Sequence, residues 1–288
     1  MNDDQISLPL SIPPDALVLD VGSGHKPHPR ADVLCDKFLD DNTERGHNLI
    51  IDRPLVEGDV QNLPFRPDAF DFIITRHILE HISNPAAFFK EIQRVAPAGY
   101  IETPSIVWEY LHPIRPYHHW LLTKQNDTLY LMPKPAALCH QPPATILEEM
   151  GANSLEYGLL VKAYRDVFYV RHVWQRPLTY HIYPLPEHNQ GTQWTEELAR
   201  TWVQNRRKSQ QILGLARNLA ETAVFIITRP LRQKQHHRQL KQRQQKRPFN
   251  LANLLQCPQC HGTDIIIQNQ QAICPSCQWQ TTVYLPSP

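Results

Sequence analysis

The sequence predicts an α/β fold: a parallel sheet with crossover helices, an inserted hairpin-rich segment, a helical connector and a small cysteine-rich module at the C-terminus. Three observations lead to this prediction. Short β-rich runs alternate with helical patterns in the first part of the chain, as in βαβ units. A glycine turn follows the first run, and four of the six cysteines fall in two close pairs near the C-terminus. At 288 residues, the chain can bury one large core and carry a second module.

Five strands are expected in the first part of the chain. Each is a short run rich in β-branched and aliphatic residues, bounded by turn-forming residues. The runs are "ALVLDV" (16–21), "ADVLCD" (31–36), a short third strand ahead of "EGDVQNLPF" (57–65), "DFIITR" (71–76) and "YIETPS" (100–105). Between the last two, Asn84 and Pro85 suit the N-cap and first position of a helix, which Pro97 and Gly99 end.

The middle of the chain has a different composition. From about residue 108 it is rich in Pro, His and Tyr, with two predicted hairpins, "WLLTKQNDTLYLM" (120–132) and "VFYVRHVWQRPLTYHIY" (167–183). So long a segment is expected to be an insertion that covers the ligand-bearing edge of the sheet. A helix capped by Thr195 follows, and a basic run from Arg229 to Arg247 contains eight lysines or arginines and no acid. The apolar stripe of this helix comprises Ile212, Ala216, Leu219, Ala223 and Ile227.

These patterns divide the chain into three parts. Residues 1–187 form the first domain with its insertion, 188–248 the helical and basic connector, and 249–288 the cysteine-rich module. The charges nearly balance, with 29 basic and 28 acidic residues, so no global field favours nucleic acid or membrane. The N-terminus lacks the basic flank and apolar core of a signal peptide. We therefore expect a cytoplasmic protein, with peripheral membrane association left open by the basic run.

The glycine turn, "DVGSGHKPHPR" (20–30), lacks the third glycine of a dinucleotide-binding G-x-G-x-x-G motif. That position is Pro27, and Pro29 follows. Two prolines at this spacing do not fit inside a helix, so the segment is expected to be a loop with a weak grip on pyrophosphate. S-adenosylmethionine carries no phosphate, and it needs only the close backbone approach that Gly22 and Gly24 allow.

Two acids and a strand-to-helix junction follow in the order that such a ligand requires. Asp36 ends the second strand, where a carboxylate can accept both hydroxyls of a ribose. Asp59 follows the third strand and can accept the adenine amino group. The stretch "DAFDFIITRHILEHISNP" then places Arg76 and His77 at the end of the fourth strand.

These elements resemble the type 11 branch of class I S-adenosylmethionine-dependent methyltransferases. The shared features are an acid before a Gly-x-Gly turn, an acid after strand two, "GDxxxLPF", and "FDxxxxxxxLEHI", over about residues 15–105. The resemblance implies a Rossmann-like sheet, S-adenosylmethionine as cofactor, and methyl transfer to an unidentified acceptor. It implies that the cofactor is lined by Asp20, Gly22, Ser23, Gly24, Asp36, Lys37, Asp59, Val60, Arg76 and His77.

Methyl transfer requires an in-line approach of the acceptor, and a base where the acceptor must lose a proton. Such groups are expected at the carboxyl ends of strands four and five or in the insertion above them. The candidates are His77, Glu102, His112, His118 and His119. The stretch "HPIRPYHHW" (112–120) suits a polar acceptor pocket, while packing of its aromatic residues at the start of a hairpin is the alternative.

The cysteines Cys257, Cys260, Cys274 and Cys277 have the spacing C-x₂-C-x₁₃-C-x₂-C, which can close a four-thiolate zinc site. A hairpin is expected between the pairs, in "TDIIIQNQQAI" (263–273). A module this small needs the metal to fold. It resembles the short zinc-ribbon proteins that accompany, and sometimes activate, tRNA and protein methyltransferases, which implies a structural zinc.

Two short motifs in the sequence match other classes of protein. The H-x-x-E-H pattern at His77–His81 matches a metalloprotease motif, and C-x-x-C-H at Cys257–His261 matches a haem-attachment motif. The resemblance to the methyltransferases explains the first, and the lack of an export signal argues against the second. Two alternative functions stay open. One is a nicotinamide-dependent oxidoreductase, in which Lys37 would bind a 2′-phosphate. The other is a catalytically inactive protein of the same fold that binds nucleic acid or acts as an adaptor. The basic run is read as a solvated linker, with RNA or an anionic membrane surface as alternative partners, and the oligomeric state stays open.

Overall fold

The computed structural model describes residues 11–43, 45–140, 144–184, 212–221, 223–224, 228 and 249–285. The predicted cap Thr195, the stripe residue Ile227 and the basic run 229–247 lie outside the described residues. The chain divides into two compact units. Unit 1 contains Pro104–Val170 and Tyr180–Arg232, and unit 2 contains Ser11–Thr103, Arg171–Thr179 and Gln233–Pro288. In the described part of the chain, no helix has both the length and the apolar character needed to cross a bilayer.

The described residues form two sheets from twelve strands. The strands are β1 Val18–Val21, β2 Val33–Asp36, β3 Leu55–Glu57, β4 Phe72–Arg76, β5 Ala98–Pro104, β6 Trp120–Gln125, β7 Thr128–Pro133, β8 Tyr169–Gln175, β9 Thr179–Ile182, β10 Ile266–Gln268, β11 Gln271–Ile273 and β12 Gln280–Tyr284. The larger sheet has the order β10-β11-β12-β3-β2-β1-β4-β5-β8. Its pairs β1–β2, β1–β4, β2–β3 and β4–β5 are parallel. The parallel sheet is thus confirmed, and its 3-2-1-4-5 order fits a Rossmann-like fold.

Among the described residues, the parallel strands are joined by fewer crossover helices than the sequence predicted. Helix α1, Pro85–Val95, connects β4 to β5 as expected, and Asn84 caps it by accepting a hydrogen bond from Ala87 N at 3.1 Å. The β1–β2 connection has no helix, as its two prolines predict. The β2–β3 connection also has none among its described residues, because its run of Asp, Asn, Thr and Gly residues favours turns.

The buried side chain of Arg53 supports the loop that replaces the first crossover helix. Its Nη1 donates to the carbonyls of His28 at 3.0 Å and Ala31 at 2.6 Å. Its Nε and Nη2 donate to the two carboxylate oxygens of Asp52 at 2.6 and 2.8 Å. Loop carbonyls that are buried without helical partners need another donor. Arg53 provides a donor to the Ala31 carbonyl and a second donor to the His28 carbonyl, which also accepts from Ala31 N at 3.0 Å. No local sequence motif indicates this role.

The cysteine-rich module is part of the larger sheet. Strands β10 and β11 form the predicted hairpin, which turns at Asn269 and Gln270, both with positive φ. Strand β12 pairs antiparallel with β3, with Val283 opposite Val56. Thr281 Oγ1 also donates to the Glu57 carbonyl at 2.8 Å. Strand β12 therefore occupies an edge of β3 that would otherwise be open to pairing.

Of the two predicted hairpins in the middle of the chain, only the first is confirmed. Strands β6 and β7 pair antiparallel around a turn at Asn126. Strands β8 and β9 belong instead to different sheets, since β8 neighbours β5 and β9 neighbours β7. The connection between them is held by α1: Arg176 Nη1 donates to the Gln93 carbonyl at 3.0 Å, and Leu178 N donates to Gln93 Oε1 at 2.8 Å. This anchor directs the two strands apart.

Unit 1 contains more helix than the hairpin-rich prediction allowed. Its helices are α2 Ile106–Leu111, α3 Ala144–Asn153, α4 Leu155–Ala163 and α5 Arg165–Phe168, with residues 212–221 and 223–224 also helical. Tyr157, Val161 and Phe168 form a buried cluster in this unit. The apolar residues of α3 and α4 do not all lie on one buried face, since several are exposed, among them Ile146 and Leu155. The sequence therefore shows only a weak helical periodicity of apolar residues here.

Candidate functional site

The carboxyl ends of β1 and β4 mark the point at which the strand order of the parallel sheet reverses. Ligands of open α/β sheets bind at such a point. The glycine turn lies here: Gly22 has φ +68° and Gly24 has φ +52°. A Cβ on Gly22 would lie 1.9 Å from Ile78 Cδ1, so both the backbone and the packing require glycine. The turn thus leaves backbone accessible where a side chain is excluded.

Asp20 is buried at the start of the turn. Its Oδ2 accepts a hydrogen bond from His28 N at 2.6 Å, which closes the proline-containing loop. Within the described residues, its Oδ1 and the Ser23 hydroxyl are buried without hydrogen-bond partners. Burial raises the pKa of Asp20 above its ordinary value, although the nearby Arg76 guanidinium acts against the shift. The carboxylate is therefore poorly solvated, and a cationic donor at Oδ1 would stabilise it.

Asp36 ends β2 as predicted, but its carboxylate already has internal partners. Oδ2 accepts from Gly24 N at 2.9 Å, and Oδ1 accepts from Phe38 N at 3.1 Å. The guanidinium of Arg45 lies 3.3 Å from Oδ1 and also donates to the Phe38 carbonyl. A ribose at this carboxylate would compete with Arg45. Sequence reasoning missed Arg45, which stands in a polar loop without any motif.

Asp59 lies in the loop after β3 and pairs with Lys37, whose Nζ is 2.9 Å from Oδ2. Its Oδ1 accepts from Gln61 N at 2.8 Å. Partial burial opposes ionisation, but the Lys37 ammonium and the Gln61 donors outweigh it and hold the pKa of Asp59 below its ordinary value. The neighbouring Val60 is buried. The structure thus brings Asp59 and Lys37 together, both predicted from the sequence.

Arg76 and His77 lie at the end of β4. Arg76 Nη2 donates to the Lys26 carbonyl at 2.5 Å and lies 3.7 Å from Asp20 Oδ2. His77 has φ +55°, and its Nε2 lies 3.8 Å from Glu102 Oε1 at the adjacent end of β5. The predicted catalytic residues His77 and Glu102 are therefore neighbours.

Two further acidic and phenolic groups surround this pair. Glu80, which is buried, lies with Oε1 3.4 Å from His77 Nδ1. Tyr100 donates to Glu102, and burial together with the Glu102 charge raises the pKa of the Tyr100 phenol well above its ordinary value. Residues Leu79–His81 form a single 3₁₀ turn and His77 precedes it, so the H-x-x-E-H residues do not share the face of an α-helix. This geometry argues against the metalloprotease alternative.

The other three predicted catalytic residues, His112, His118 and His119, belong to unit 1. His112 is buried, and its Nε2 lies 2.7 Å from the Tyr157 hydroxyl. His118 is buried, and its Nδ1 forms a hydrogen bond with Glu109 Oε1 at 2.6 Å. Lys134 Nζ donates to Glu109 Oε2 at 2.7 Å. His119 is exposed. Glu109 and Lys134 were not predicted from the sequence because they are far from the histidines along the chain.

The four cysteines of the C-terminal module converge. The Sγ atoms of Cys257 and Cys277 are 3.4 Å apart, those of Cys260 and Cys274 are 3.5 Å apart, and all four lie within 4.8 Å of one another. None forms a disulfide. Sulfur ligands about 2.3 Å from a tetrahedral metal are separated by about 3.8 Å. The geometry is therefore compatible with a four-thiolate metal site.

The backbone around this cluster is fixed to the rest of unit 2. His261 and Gln278 have positive φ just after the two cysteine pairs, so both turns are tight. Arg66 Nε donates to the Leu255 carbonyl at 3.1 Å, and its Nη2 donates to the Thr263 carbonyl at 2.8 Å. The sequence predicted the cysteine cluster but not this anchor.

Comparison with known proteins supports a specific domain type for the central strands. Residues 34–101 match the family model described as a methyltransferase domain. Norajmaline N-methyltransferase of Rauvolfia serpentina is 34% identical over 55 residues, which cover 19% of this chain and only 18% of the relative. The match therefore spans less than a fifth of that relative's length.

Similarity to solved structures is low. The YcgJ protein of Bacillus subtilis is 20% identical with a TM-score of 0.30, over 38% of this chain and 56% of its own. A second structure is a complex between the Haloferax volcanii Trm112 methyltransferase activator and a protein described as a methyltransferase. One chain of this complex is 16% identical with a TM-score of 0.35, over 61% of this chain and 87% of its own. The family match carries the comparison: residues 34–101 run from β2 to β5, include Asp36, Asp59 and His77, and support a methyltransferase domain in this chain.

Proposed function

We propose that the protein is an S-adenosylmethionine-dependent methyltransferase whose cofactor site lies around Asp20, Asp36 and Asp59. One observation carries the proposal. Within the described residues, Asp20 Oδ1 is buried without a hydrogen-bond partner, and it lies beside a turn in which Ile78 leaves no room for a side chain at Gly22. A buried carboxylate oxygen of this kind is suited to the ammonium of a methionyl group. The match of residues 34–101 to a methyltransferase domain supports the same assignment.

The proposed site divides the cofactor among three carboxylates. Asp20 and Ser23 hold the methionyl ammonium. The backbone of Gly22 and Gly24 contacts the adjacent part of the ligand. Asp36 accepts the ribose hydroxyls once Arg45 moves away, and Asp59 accepts the adenine amino group beside Val60. Lys37 helps to hold the pKa of Asp59 below its ordinary value, and Arg76 acts against the burial that raises the pKa of Asp20. The bound sulfonium supplies an electrophilic methyl group.

His77 is the proposed proton acceptor for a nucleophile that must lose a proton. Its Nδ1 is close to Glu80 and its Nε2 is close to Glu102, and either carboxylate stabilises the protonated imidazole. His118, with Glu109 at its Nδ1, and the exposed His119 are the second candidates, in unit 1. The acceptor remains unassigned.

The four cysteines are proposed to hold one structural zinc ion. Their sulfur–sulfur distances of 3.4 and 3.5 Å support a tetrahedral site. The pairing of β12 with β3 gives the metal a structural role, since folding of the module completes the edge of the sheet. The same proposal retains the division at residues 187 and 248 that the sequence predicts.

The decisive experiment is calorimetry of the full-length protein with S-adenosylmethionine, S-adenosylhomocysteine and NADPH. Both S-adenosyl ligands are expected to bind, and NADPH to bind much more weakly. Asp20→Asn keeps the shape but removes the charge, so binding is expected to weaken by about tenfold to a hundredfold. Asp32→Asn is the matched control, because that buried carboxylate already binds Val18 N at 3.0 Å and Arg30 at 3.1 Å.

A glycine pair separates steric exclusion from backbone strain. Gly22→Ala places a Cβ against Ile78 and should abolish binding, whereas Gly46→Ala, with φ +77° and no atom within 4 Å of the new Cβ, carries only the strain. Circular dichroism checks the fold of both variants. Binding of NADPH without binding of either S-adenosyl ligand would overturn the proposal, as would unchanged affinity in Asp20→Asn.

A further inference from the structure

We infer that the helical residues 212–221 and 223–224 form a docking surface for an anionic lipid membrane. This helix has its polar side against unit 1 and its apolar side towards solvent, the reverse of a helix that packs on a globular core. The observation belongs to unit 1 and does not depend on the proposed methyl transfer.

The polar side of the helix is anchored by Asn218 and Glu221. Asn218 is buried: its Nδ2 donates to the Ala163 carbonyl at 2.6 Å, and its Oδ1 accepts from Arg165 Nη2 at 3.1 Å. Glu221, three residues later on the same side, accepts a hydrogen bond from the same guanidinium. Arg165 begins α5 and is itself buried. These contacts fix which side of the helix faces unit 1.

The opposite side consists of apolar residues. The exposed fractions are 67% for Ile212, 69% for Leu213, 43% for Leu219 and 58% for Val224. With 3.6 residues per turn, successive residues advance by about 100°, which places these four on one arc opposite Asn218 and Glu221. The smaller exposed residues between them on this arc are Ala216, Ala220 and Ala223. We call this arc the apolar face.

A cationic residue adjoins the apolar face. Arg217 is exposed on the same helix, at the edge of the face. The helix therefore places a cationic group beside its exposed apolar residues.

The charge of the segment that follows this helix indicates which kind of partner binds the apolar face. Shortly after Val224, the sequence from Arg229 to Arg247 has eight lysines or arginines and no acid. An apolar helix face together with a basic segment is the composition that binds anionic lipid at an interface. A protein groove would use the apolar face without needing the cations, and RNA would use the cations without needing the apolar face. A lipid surface uses both.

The test is flotation of the full-length protein with vesicles of phosphatidylcholine alone or mixed with phosphatidylglycerol, at low and high salt. Binding is expected to require phosphatidylglycerol and to retain a salt-resistant part, since salt screens only the electrostatic contribution. Ile212→Asn with Leu219→Asn should weaken binding by about tenfold for each side chain. Ile266→Asn, at an exposed apolar residue of β10 in unit 2, is the matched control and should bind as the unchanged protein does.

A second pair, Leu213→Asn with Val224→Asn, repeats the test on the same face, and circular dichroism verifies the fold of each variant. Replacing the eight basic residues of 229–247 by glutamine should reduce flotation with phosphatidylglycerol vesicles to the level seen with phosphatidylcholine alone. The inference is overturned if the unchanged protein does not float with anionic vesicles, or if both asparagine pairs bind as tightly as the control. It is also overturned if the apolar face instead mediates self-association that both pairs abolish, or if RNA binds and the asparagine pairs leave vesicle flotation unaffected.

Discussion

Replacing Arg45 by alanine is expected to tighten the binding of S-adenosylmethionine. In the structure, the Arg45 guanidinium lies 3.3 Å from Asp36 Oδ1, and both side chains are only 9% exposed. If Asp36 receives the ribose hydroxyls, this contact must open before the ligand binds. The free energy of opening is then subtracted from the binding free energy, and removing Arg45 restores it.

The magnitude follows from the burial of the pair. A hydrogen bond to a charged group contributes about 1.5–3 kcal/mol when buried, and an exposed ion pair contributes about 0–1 kcal/mol. This partly buried pair should lie between the two, at about 1–2 kcal/mol, which corresponds to about a fivefold to thirtyfold lower Kd. Calorimetric titration with S-adenosylhomocysteine measures the change directly.

Arg30→Ala provides the control for this experiment. Arg30 pairs with Asp32 at 3.1 Å with similar burial, but away from Asp36, so its removal should leave ligand affinity unchanged. Unchanged affinity in Arg45→Ala would show that Asp36 does not meet the ribose. Weaker affinity would show that Arg45 contacts the ligand instead of competing with it. Either result would refute the assignment of Asp36.

Three further predictions follow. Asp59→Ala should weaken ligand binding by about 1–3 kcal/mol because a buried donor of the adenine loses its acceptor; equal affinity by calorimetry would contradict this. Arg53→Met leaves the Ala31 carbonyl without the Arg53 donor and the His28 carbonyl with only Ala31 N, so it should lower the free energy of unfolding in urea by about 1–3 kcal/mol, whereas Lys90→Met at an exposed position of α1 should have little effect. Metal analysis should find about one zinc ion per chain, and Cys274→Ser should lose it and lower the Tm; iron, haem or no metal in the unchanged protein would contradict this.

The sequence predicted the parallel strands and the βαβ unit well because the signals are local. Pro85 after Asn84 is a strong helix start, and a short aliphatic run between polar turns has few alternatives to a buried strand. The absent first helix was also predictable, since Pro27 and Pro29 exclude it. The same local reasoning failed at β8 and β9, whose sequences look like one hairpin. Their separation depends on Gln93, which is distant in the chain.

The candidate site shows the same division between local and distant information. The positions of Asp20, Gly22 and Asp59 could be predicted because Asp20 and Gly22 lie at the end of β1 and Asp59 lies two residues after β3. The engagement of Asp36 by Arg45 could not be, because the loop that carries Arg45 has no periodicity or motif. Arg53 was missed for a related reason, as an isolated arginine after an aspartate is usually an exposed residue. Polar side chains that satisfy buried backbone atoms can be assigned only when the fold is known.

The pairing of β12 with β3 connects the cysteine-rich module to the strand that precedes Asp59, and this bears on both proposed ligands. Strand β3 ends at Glu57, two residues before Asp59, and Glu57 accepts hydrogen bonds from Thr281 and Thr282 next to the cysteine cluster. Metal binding in such a module provides folding free energy. If the four cysteines bind zinc as proposed, part of that free energy would hold the loop that carries Asp59, because the loop begins where the shared strand pair ends. Removal of the metal by a chelator is then expected to weaken binding of S-adenosylhomocysteine as well as to lower the Tm, and unchanged affinity by calorimetry would contradict this connection.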